Sequence, residues 1–388
     1  MKKLKDGWEI KTLGEIATIS SGGTPSRKNE SYWNGSIPWV TTAEVKFNTI
    51  VDTAEKITDL GLSNSSAKLF PIGTILMAMY GQGKTRGQVA KLGIKATTNQ
   101  ACAAIILKEN YHVEFYYQYL MSKYDDIREM SNSGGQENLS ASIVKSIAIP
   151  VPPLEEQIQI AETLSTWDKA IQTTEKLLEN SRRQKKALMQ KLLGKGEQIF
   201  RLEDLGSTFT GLSGKSKVDF GKGKPYIPYM NIFTNSHIDI QHLELVEIGK
   251  DETQNKVRYG DIFFTTSSET PDEVGMSSVL LNEVDELYLN SFCFGFRLNN
   301  FENLLPEYAQ YLFRCDEIRK AISLLGQGAT RYNLSKTQLM KLTIKLPSLE
   351  EQREIAEILS TADQEIETLQ RKLECLKLEK GALMQRFL

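Results

Sequence analysis

Residues Pro152 to Asp168 read PPLEEQIQIAETLSTWD, and Pro347 to Asp363 read PSLEEQREIAEILSTAD, the second copy lying 195 positions after the first. Extended over 152–193 and 347–388, the two copies share 22 of 42 aligned residues. In the first copy Ile160, Leu164, Trp167, Ile171, Thr174, Leu178, Ser181, Lys185, Leu188 and Leu192 follow alternating steps of four and three. Ile355, Leu359, Ala362, Ile366, Leu369, Leu373, Leu376, Lys380, Leu383 and Phe387 repeat the pattern in the second. Steps of four and three place side chains on one seam of a helix, so each copy predicts a coiled-coil stripe. Pro152-Pro153 and Pro347 cannot sit inside such a helix but readily precede one. The glutamate pairs 155–156 and 350–351 then fall in the first turn, where the helix dipole favours negative charge. About 40 residues at about 1.5 Å each span roughly 60 Å.

Two helices with one apolar face each can bury those faces against one another, and the chain between them is long enough to return. An antiparallel pair is therefore expected. Packing does not require identity at polar positions, yet Glu155 matches Glu350, Gln157 matches Gln352, Ser165 matches Ser360 and Gln190 matches Gln385. Read as exposed, these residues would offer the same surface to the same kind of partner.

The blocks ahead of the helices repeat more faintly. LGEI at 13–16 answers LGST at 205–208, and IPWVTTAEV from Ile37 answers IPYMNIFTN from Ile227. PIGTILMAM answers RYGDIFFTT through Gly73 and Gly260, and TNQACAAIIL answers LNSFCFGFRL by placing Asn99 and Cys102 on Asn290 and Cys293. YQYL at 117–120 answers AQYL at 309–312, and NLS recurs at 138–140 and 333–335. The chain thus reads as one module duplicated, a globular part followed by a long helix. Short alternating runs bounded by Gly and Pro, with an aromatic helix near the end (112–130 and 305–322), predict an α+β fold. The divisions expected are 1–150, 151–196, 197–346 and 347–388, with an internal pseudo-two-fold repeat.

Composition fits this picture and narrows the chemistry. The 388 residues are enough for two cores, 40% are hydrophobic and 25% charged, an ordinary globular balance. The start, MKKLKDGWEIKTLGEI, has lysines without an apolar run behind them, and no stretch approaches the roughly 18 apolar residues of a membrane span. A cytoplasmic protein without a membrane association is expected. Cys102, Cys293, Cys315 and Cys375 form no CxxC pair, and His112, His237 and His242 add no metal-ligand spacing. Net charge is −2, distributed as +3 over 1–149, +1 over 150–197, −3 over 198–345 and −3 over 346–388. A protein holding nucleic acid through a general basic field would carry more positive charge, so any such role rests on local patches.

The double P-x-LEEQ-x-x-IA-x-x-L-S-T-x-D, each copy closing on ALMQ, together with SGGTPS at 21–26 and YWNGSIPWVTTAEV at 32–45, resembles the specificity subunit of type I restriction-modification systems. The resemblance covers the whole chain in order. It implies a non-catalytic subunit with two target recognition domains joined by two long antiparallel coiled-coil helices. It also implies that each domain reads one half of a split sequence in double-stranded DNA, and that the helices bind two methyltransferase (M) subunits. Restriction (R) subunits can join. No cofactor is expected in this chain; S-adenosylmethionine, ATP and Mg belong to the partner subunits.

Candidate base-reading residues are polar and basic side chains in predicted loops, because Arg or Lys pairs with guanine and Asn or Gln with adenine in the major groove. In the first domain these are Thr41, Thr42, Gln82, Lys84, Thr85 and Arg86; in the second they are Asn231, Ser267, Ser268, Gln327, Arg331 and Tyr332. Glu155, Gln157, Gln190, Glu350, Gln352 and Gln385 are the candidate docking residues on the helices. SGGTPSRK is replaced in the second domain by TGLSGKSK, so the motif either is structural in one domain or belongs to the half-site it reads. AMYGQGKT, 78–85, satisfies a loose Walker A pattern. A phosphate loop must run into a helix, whereas RGQVAKLGIKATTNQ follows with β-like alternation, so a hairpin turn is expected. A coiled-coil scaffold without DNA reading would explain the helices but not two domains with preserved frameworks and divergent loops. A stand-alone nuclease or methyltransferase would need a carboxylate cluster or cofactor motif that the sequence does not display.

Overall fold

The computed structural model describes residues 5–81, 84–130, 138–328 and 330–388. The chain divides into two compact units, one holding the chain up to Thr174 together with Lys372–Leu388, the other Glu175–Arg371. The two long helices, Leu154–Leu192 and Leu349–Phe387, are each 39 residues and each contributes to both units.

Both units are built alike. The opening strand pairs antiparallel with the strand just ahead of the long helix: Glu9–Thr12 with Ala148–Val151, and Gln198–Arg201 with Thr343–Leu346. One helical turn follows, Leu13–Ile16 or Leu202–Leu205, whose apolar ends are buried. The central sheet of the first unit orders Ala17–Ser21, Cys102–Leu107, Ile75–Ala78, Val89–Leu92 and Thr49–Ile50; that of the second orders Gly206–Thr210, Cys293–Leu298, Ile262–Thr265 and Ser277–Val279. The strands ILMA and IFFT are buried at every position. Continuous apolar runs are what a strand covered on both faces demands.

One face of each sheet packs the aromatic segment, through Phe115, Tyr116 and Leu120 in the first unit and Tyr308, Leu312 and Phe313 in the second. Each fully buried apolar side chain contributes about 1.5–3 kcal/mol. The aromatic segment is two helices rather than one. Val113–Ser122 and Tyr124–Glu129 meet at Lys123 (ψ 16°), while Pro306–Leu312 and Asp316–Ser323 are separated by an extended Cys315 (φ −71°, ψ 153°). A backbone leaving the α region breaks the hydrogen-bond ladder whatever the apolar pattern says.

A second, three-stranded sheet shows how the repeats correspond. Val40 pairs with Thr98, and Ile227 with Leu289. The amide of Asn99 donates to Val40 O (3.0 Å) and that of Asn290 to Ile227 O (3.1 Å). Val40 therefore answers Ile227, and the expected match of Ile37 with Ile227 is corrected by three residues. An Ile-Pro dipeptide can recur anywhere along a strand, whereas hydrogen-bond register cannot slip without turning side chains to the wrong face. The same register aligns Gly22 with Gly211. A Cβ on Gly22 would lie 1.9 Å from Thr98 O, and one on Gly211 2.0 Å from Asn290 O.

The ten seam positions of each long helix are all buried or half-buried. In the first unit Ile160 and Leu164 join the core against Leu383, Met384 and Phe387; in the second Ala356 and Leu359 do so against Leu188 and Met189. In each unit the two helix segments therefore run antiparallel. The stretch after Ile75–Ala78 returns as Val89–Leu92, with Ile75 opposite Lys91 and Met77 opposite Val89. It is a strand hairpin, not a strand running into a helix; Gln82 and Gly83 lie outside the described residues. Among the described residues no helix is long and apolar enough to cross a membrane.

Candidate nucleic-acid interface

In the second unit the strand Ile262–Thr265 continues into Thr266, whose carbonyl accepts from Leu334 N (2.8 Å). That bond starts a small sheet of Ser267–Ser268, Tyr332–Leu334 and Gly326–Gln327. Ser268 faces Tyr332, and both Ser267 and Gln327 face Asn333. Residues separated by 60 positions in sequence thus stand together, with Arg331 beside them at the edge. The helix Tyr229–Thr234 forms the opposite wall, tied across by Tyr229 Oη donating to Ser267 O (3.0 Å). Between these walls lies an open cleft of about 790 Å³. Tyr229 and Phe233 stack at 5.9 Å and 19°, and Met230 and Phe292 are 57% and 59% exposed. Glu269, Glu273 and Arg331 supply its charge, Glu273 accepting from Thr270 Oγ1 (2.8 Å).

Three candidates of this unit have other roles. Asn231 is 4% exposed. Its Nδ2 donates to Asp239 O (2.8 Å) and His242 O (2.9 Å), and its Oδ1 accepts from Asp239 N (3.0 Å). Asn231 fastens the following turn and is withdrawn as a base reader. Ser267 and Ser268 are buried and floor the cleft, Ser268 Oγ donating to Thr270 O. Gln327 and Arg331 are exposed and Tyr332 half-buried. Met230 and Phe292 carried no sequence signal, since an isolated apolar residue reads as core until the backbone is placed, and Glu269 is one carboxylate among many in the sequence.

In the first unit Lys84, Thr85 and Arg86 occupy the hairpin after Ile75–Ala78, Lys84 exposed and the other two half-buried. Gln82 lies outside the described residues. Tyr124 Oη donates to Lys84 O (2.5 Å), and Arg128 Nη1 to Tyr124 Oη (3.2 Å). Thr41, half-buried, donates from both amide and hydroxyl to Glu44 Oε2 (2.7 and 3.0 Å), capping the single turn Thr42–Glu44. Thr42 lies within that turn, half-buried. The glycine-rich loop is held by stacking. The Arg27 guanidinium lies 3.7 Å over the Trp33 ring and 5.0 Å from that of Trp39, and its Nη2 reaches Glu55 Oε2 at 2.8 Å. Arg27 holds the Glu55 carboxyl below the usual range. Trp39 Nε1 donates to Gly23 O (2.9 Å) and Trp33 Nε1 to Ser26 O (3.2 Å). Gly22 shares its role with Gly211, while the Trp-Arg clamp belongs to the first unit.

Among the helix candidates Glu155, Glu350, Gln190 and Gln385 are exposed, Gln190 Nε2 reaching Asp316 Oδ2 (2.9 Å). Gln157 and Gln352 are not docking residues. They are 1% and 0% exposed and repeat one internal network. Gln157 Oε1 accepts from His112 N (2.9 Å) and its Nε2 donates to Pro152 O (2.8 Å). Gln352 Oε1 accepts from Leu305 N (3.0 Å) and its Nε2 donates to Asn303 O (2.8 Å) and Pro347 O (3.0 Å). Identity at this position thus satisfies buried backbone, which packing does require.

Among the described residues no group of three or more His, Cys, Asp or Glu stands ready to hold a metal ion. Cys102, Cys293 and Cys315 are buried, and burial pushes the Cys102 thiol up to about 12, the reverse of an activated nucleophile.

The family described as Type I restriction modification DNA specificity domain matches the chain twice, over residues 5–180 and 195–378. The type I restriction enzyme MjaIX specificity subunit of Methanocaldococcus jannaschii is 33% identical over 181 residues, 45% of this chain and 41% of that protein. The MjaVIII specificity subunit of the same organism is 24% identical over an alignment spanning 100% of this chain and 93% of its own length. Among solved structures, the type I restriction-modification S subunit from M. genitalium superposes with a TM-score of 0.61 at 16% identity, covering 99% of this chain and 97% of that one. At that identity the likeness speaks for the fold.

Proposed function

The chain belongs to the type I restriction modification DNA specificity family, and on that premise we propose that it is the non-catalytic subunit that reads a bipartite DNA target and assembles two methyltransferase subunits. The observation that carries this reading is a duplicated frame with divergent tips. Val40 and Ile227, Gly22 and Gly211, and Gln157 and Gln352 hold the same places in the two units. The segments after the strands Ile75–Ala78 and Ile262–Thr265, 79–86 and 266–274, share no such identity until the glycines 87 and 275 that close them. A shared frame with unlike loops suits two readers of two unlike half-sites.

Residues 1–150 and 197–346 act as the target recognition domains, and 151–196 and 347–388 as the helices that separate them. Lys84, Thr85 and Arg86 read the first half-site, and Gln327, Arg331 and Tyr332 the second, each well-placed base contact giving about 1–3 kcal/mol of discrimination. Half-sites on one face of a duplex recur about one helical turn, ~34 Å, apart. Exposed Glu155, Glu350, Gln190 and Gln385 lie on the surfaces offered to the two methyltransferase subunits. S-adenosylmethionine, ATP and Mg reside on those partners and on the restriction subunits that can join them, and the complex works in the cytoplasm. Native mass spectrometry of the chain co-expressed with its methyltransferase subunit tests the assembly. Two partner copies per chain and one duplex are expected, and a complex that forms without retaining duplex DNA supports the competing coiled-coil scaffold instead.

A further inference from the structure

Two half-buried arginines stand behind the cleft of the second unit, and among the described residues neither forms a salt bridge. Arg314 Nε donates to Ser277 O (2.7 Å), and its Nη2 to Ile232 O (2.7 Å), Phe233 O (3.1 Å) and Asn235 O (2.6 Å). Arg319 Nη1 donates to Gly275 O (2.6 Å), and its Nη2 to Asp272 O (2.9 Å) and Val274 O (2.7 Å). Burial lowers both guanidinium groups, Arg314 to about 10, which leaves it charged at neutral pH. Burying a charge is costly unless its donors are satisfied, and here backbone carbonyls supply the acceptors.

Apart from Ser277 O, which belongs to the central-sheet strand Ser277–Val279, the carbonyls chosen lie in or beside two segments that line the cleft, through Phe233 and Glu273. Arg314 gathers the C-terminal end of Tyr229–Thr234, the helix that presents Tyr229, Met230 and Phe233, where a cation also complements the helix dipole. Arg319 gathers the turn 272–275, which carries the cleft residue Glu273. The first unit has the same device in part. Ala78 N donates to Gln88 O (2.9 Å) as Thr265 N does to Met276 O (2.9 Å), so Gly87 (φ +85°) answers Gly275 (φ +64°). A Cβ on Gly87 would lie 3.0 Å from Arg128 Cγ, and Arg128 reaches the Lys84 hairpin through Tyr124.

We propose that Arg319, with Arg314, is a positioning residue for sequence specificity: it fixes the shape of the second reading cleft from behind without touching DNA. Arg128 does the same for the first hairpin. This inference rests on the proposed bipartite reading. A base contact discriminates only when its donors and acceptors are held in place, so loosening the walls costs specificity more than binding.

The test maps methylation by the full chain with its methyltransferase subunit on a library holding every single-base change in both half-sites. Parent, Arg319→Met and Arg319→Lys chains are compared. Arg319→Met should lose roughly tenfold in discrimination at the second half-site, the worth of one well-placed base contact, with the first half-site read as before. Lysine can meet some but not all of the three carbonyls and should restore part of the loss. Arg319→Met discriminating like the parent, or losing equally at both half-sites, overturns the positioning role. Should Arg319→Met fail to assemble, Arg319→Lys decides: parent-like discrimination in a chain of lowered thermal stability also overturns it. A parent chain that methylates no split motif removes the bipartite reading itself, a failure visible before any variant is compared.

Discussion

Lys380 Nζ lies 2.6 Å from Asp168 Oδ1, joining the end of the second long helix to the start of the first, and Lys185 makes the same pair with Asp363. Subtracting 195 from 380 and from 363 gives 185 and 168, so one salt bridge of the repeat appears twice. Both lysines occupy seam positions that an uninterrupted coiled coil would fill with leucine. A buried polar residue at such a position gives up stability and specifies register and orientation.

In Lys380→Met the loss of this pair is set against the better apolar fit of methionine in the seam, and Asp168, 43% exposed, can recover water, so the helices should stay paired with stability changed by no more than about 1 kcal/mol. A double-mutant cycle with Asp168→Asn, followed by thermal unfolding, measures the coupling. Additive effects would remove the pair from the forces that hold the register.

Gln157→Leu and Gln352→Leu each strand a buried amide, His112 N or Leu305 N, and the carbonyls their side chains served. Each buried group left without a partner costs about 1–3 kcal/mol. Denaturant unfolding should show both variants destabilised while the methylated motif stays unchanged. A changed motif in a stable variant would return these glutamines to the functional surface.

The acid side of the stability profile follows from two carboxylates. Lys215, Gln254 and the Gly249 amide hold Glu252 down to about 2 from an ordinary 4.5, and Lys224 and Tyr288 hold Glu286 at about 2. A folded-state value below the unfolded one means stability fully present above about 4.5 and lost as pH falls towards 2. Hydrogen-exchange protection over 247–256 and Phe220–Ile227, corrected for the intrinsic pH dependence of exchange, should fall between about pH 4.5 and about pH 3. Unchanged protection over that range would contradict the assignment.

Much of the frame was legible because periodicity states it outright. Steps of four and three gave the seam, and its ten positions per helix are buried or half-buried. What the pattern could not disclose was the fate of single polar residues. Gln157, Asn231 and Thr41 look like free surface donors in sequence, yet each is consumed by nearby backbone or a cap. The Ile-Pro repeat misled for a related reason: a dipeptide carries no register, whereas the Asn99 and Asn290 amides fix it. Of the cleft, the strand serines and Arg331 were legible as loop polarity, and the exposed Met230 and Phe292 were not.

The helices also make a prediction about DNA. Removing seven residues from each keeps the apolar seam in phase while shortening each helix by roughly 10 Å. The preferred spacer between half-sites should change by a few base pairs with both half-sites intact. An unaltered spacer would mean that the helices do not set it.

The most direct measurement is the methylome of cells carrying this chain and its methyltransferase subunit. One motif is expected, two unlike half-sites split by a fixed run of unspecified bases, with adenine methylated in each. An uninterrupted motif, two identical half-sites, or no sequence preference from a well-formed complex would contradict the reading of this chain as a bipartite specificity subunit.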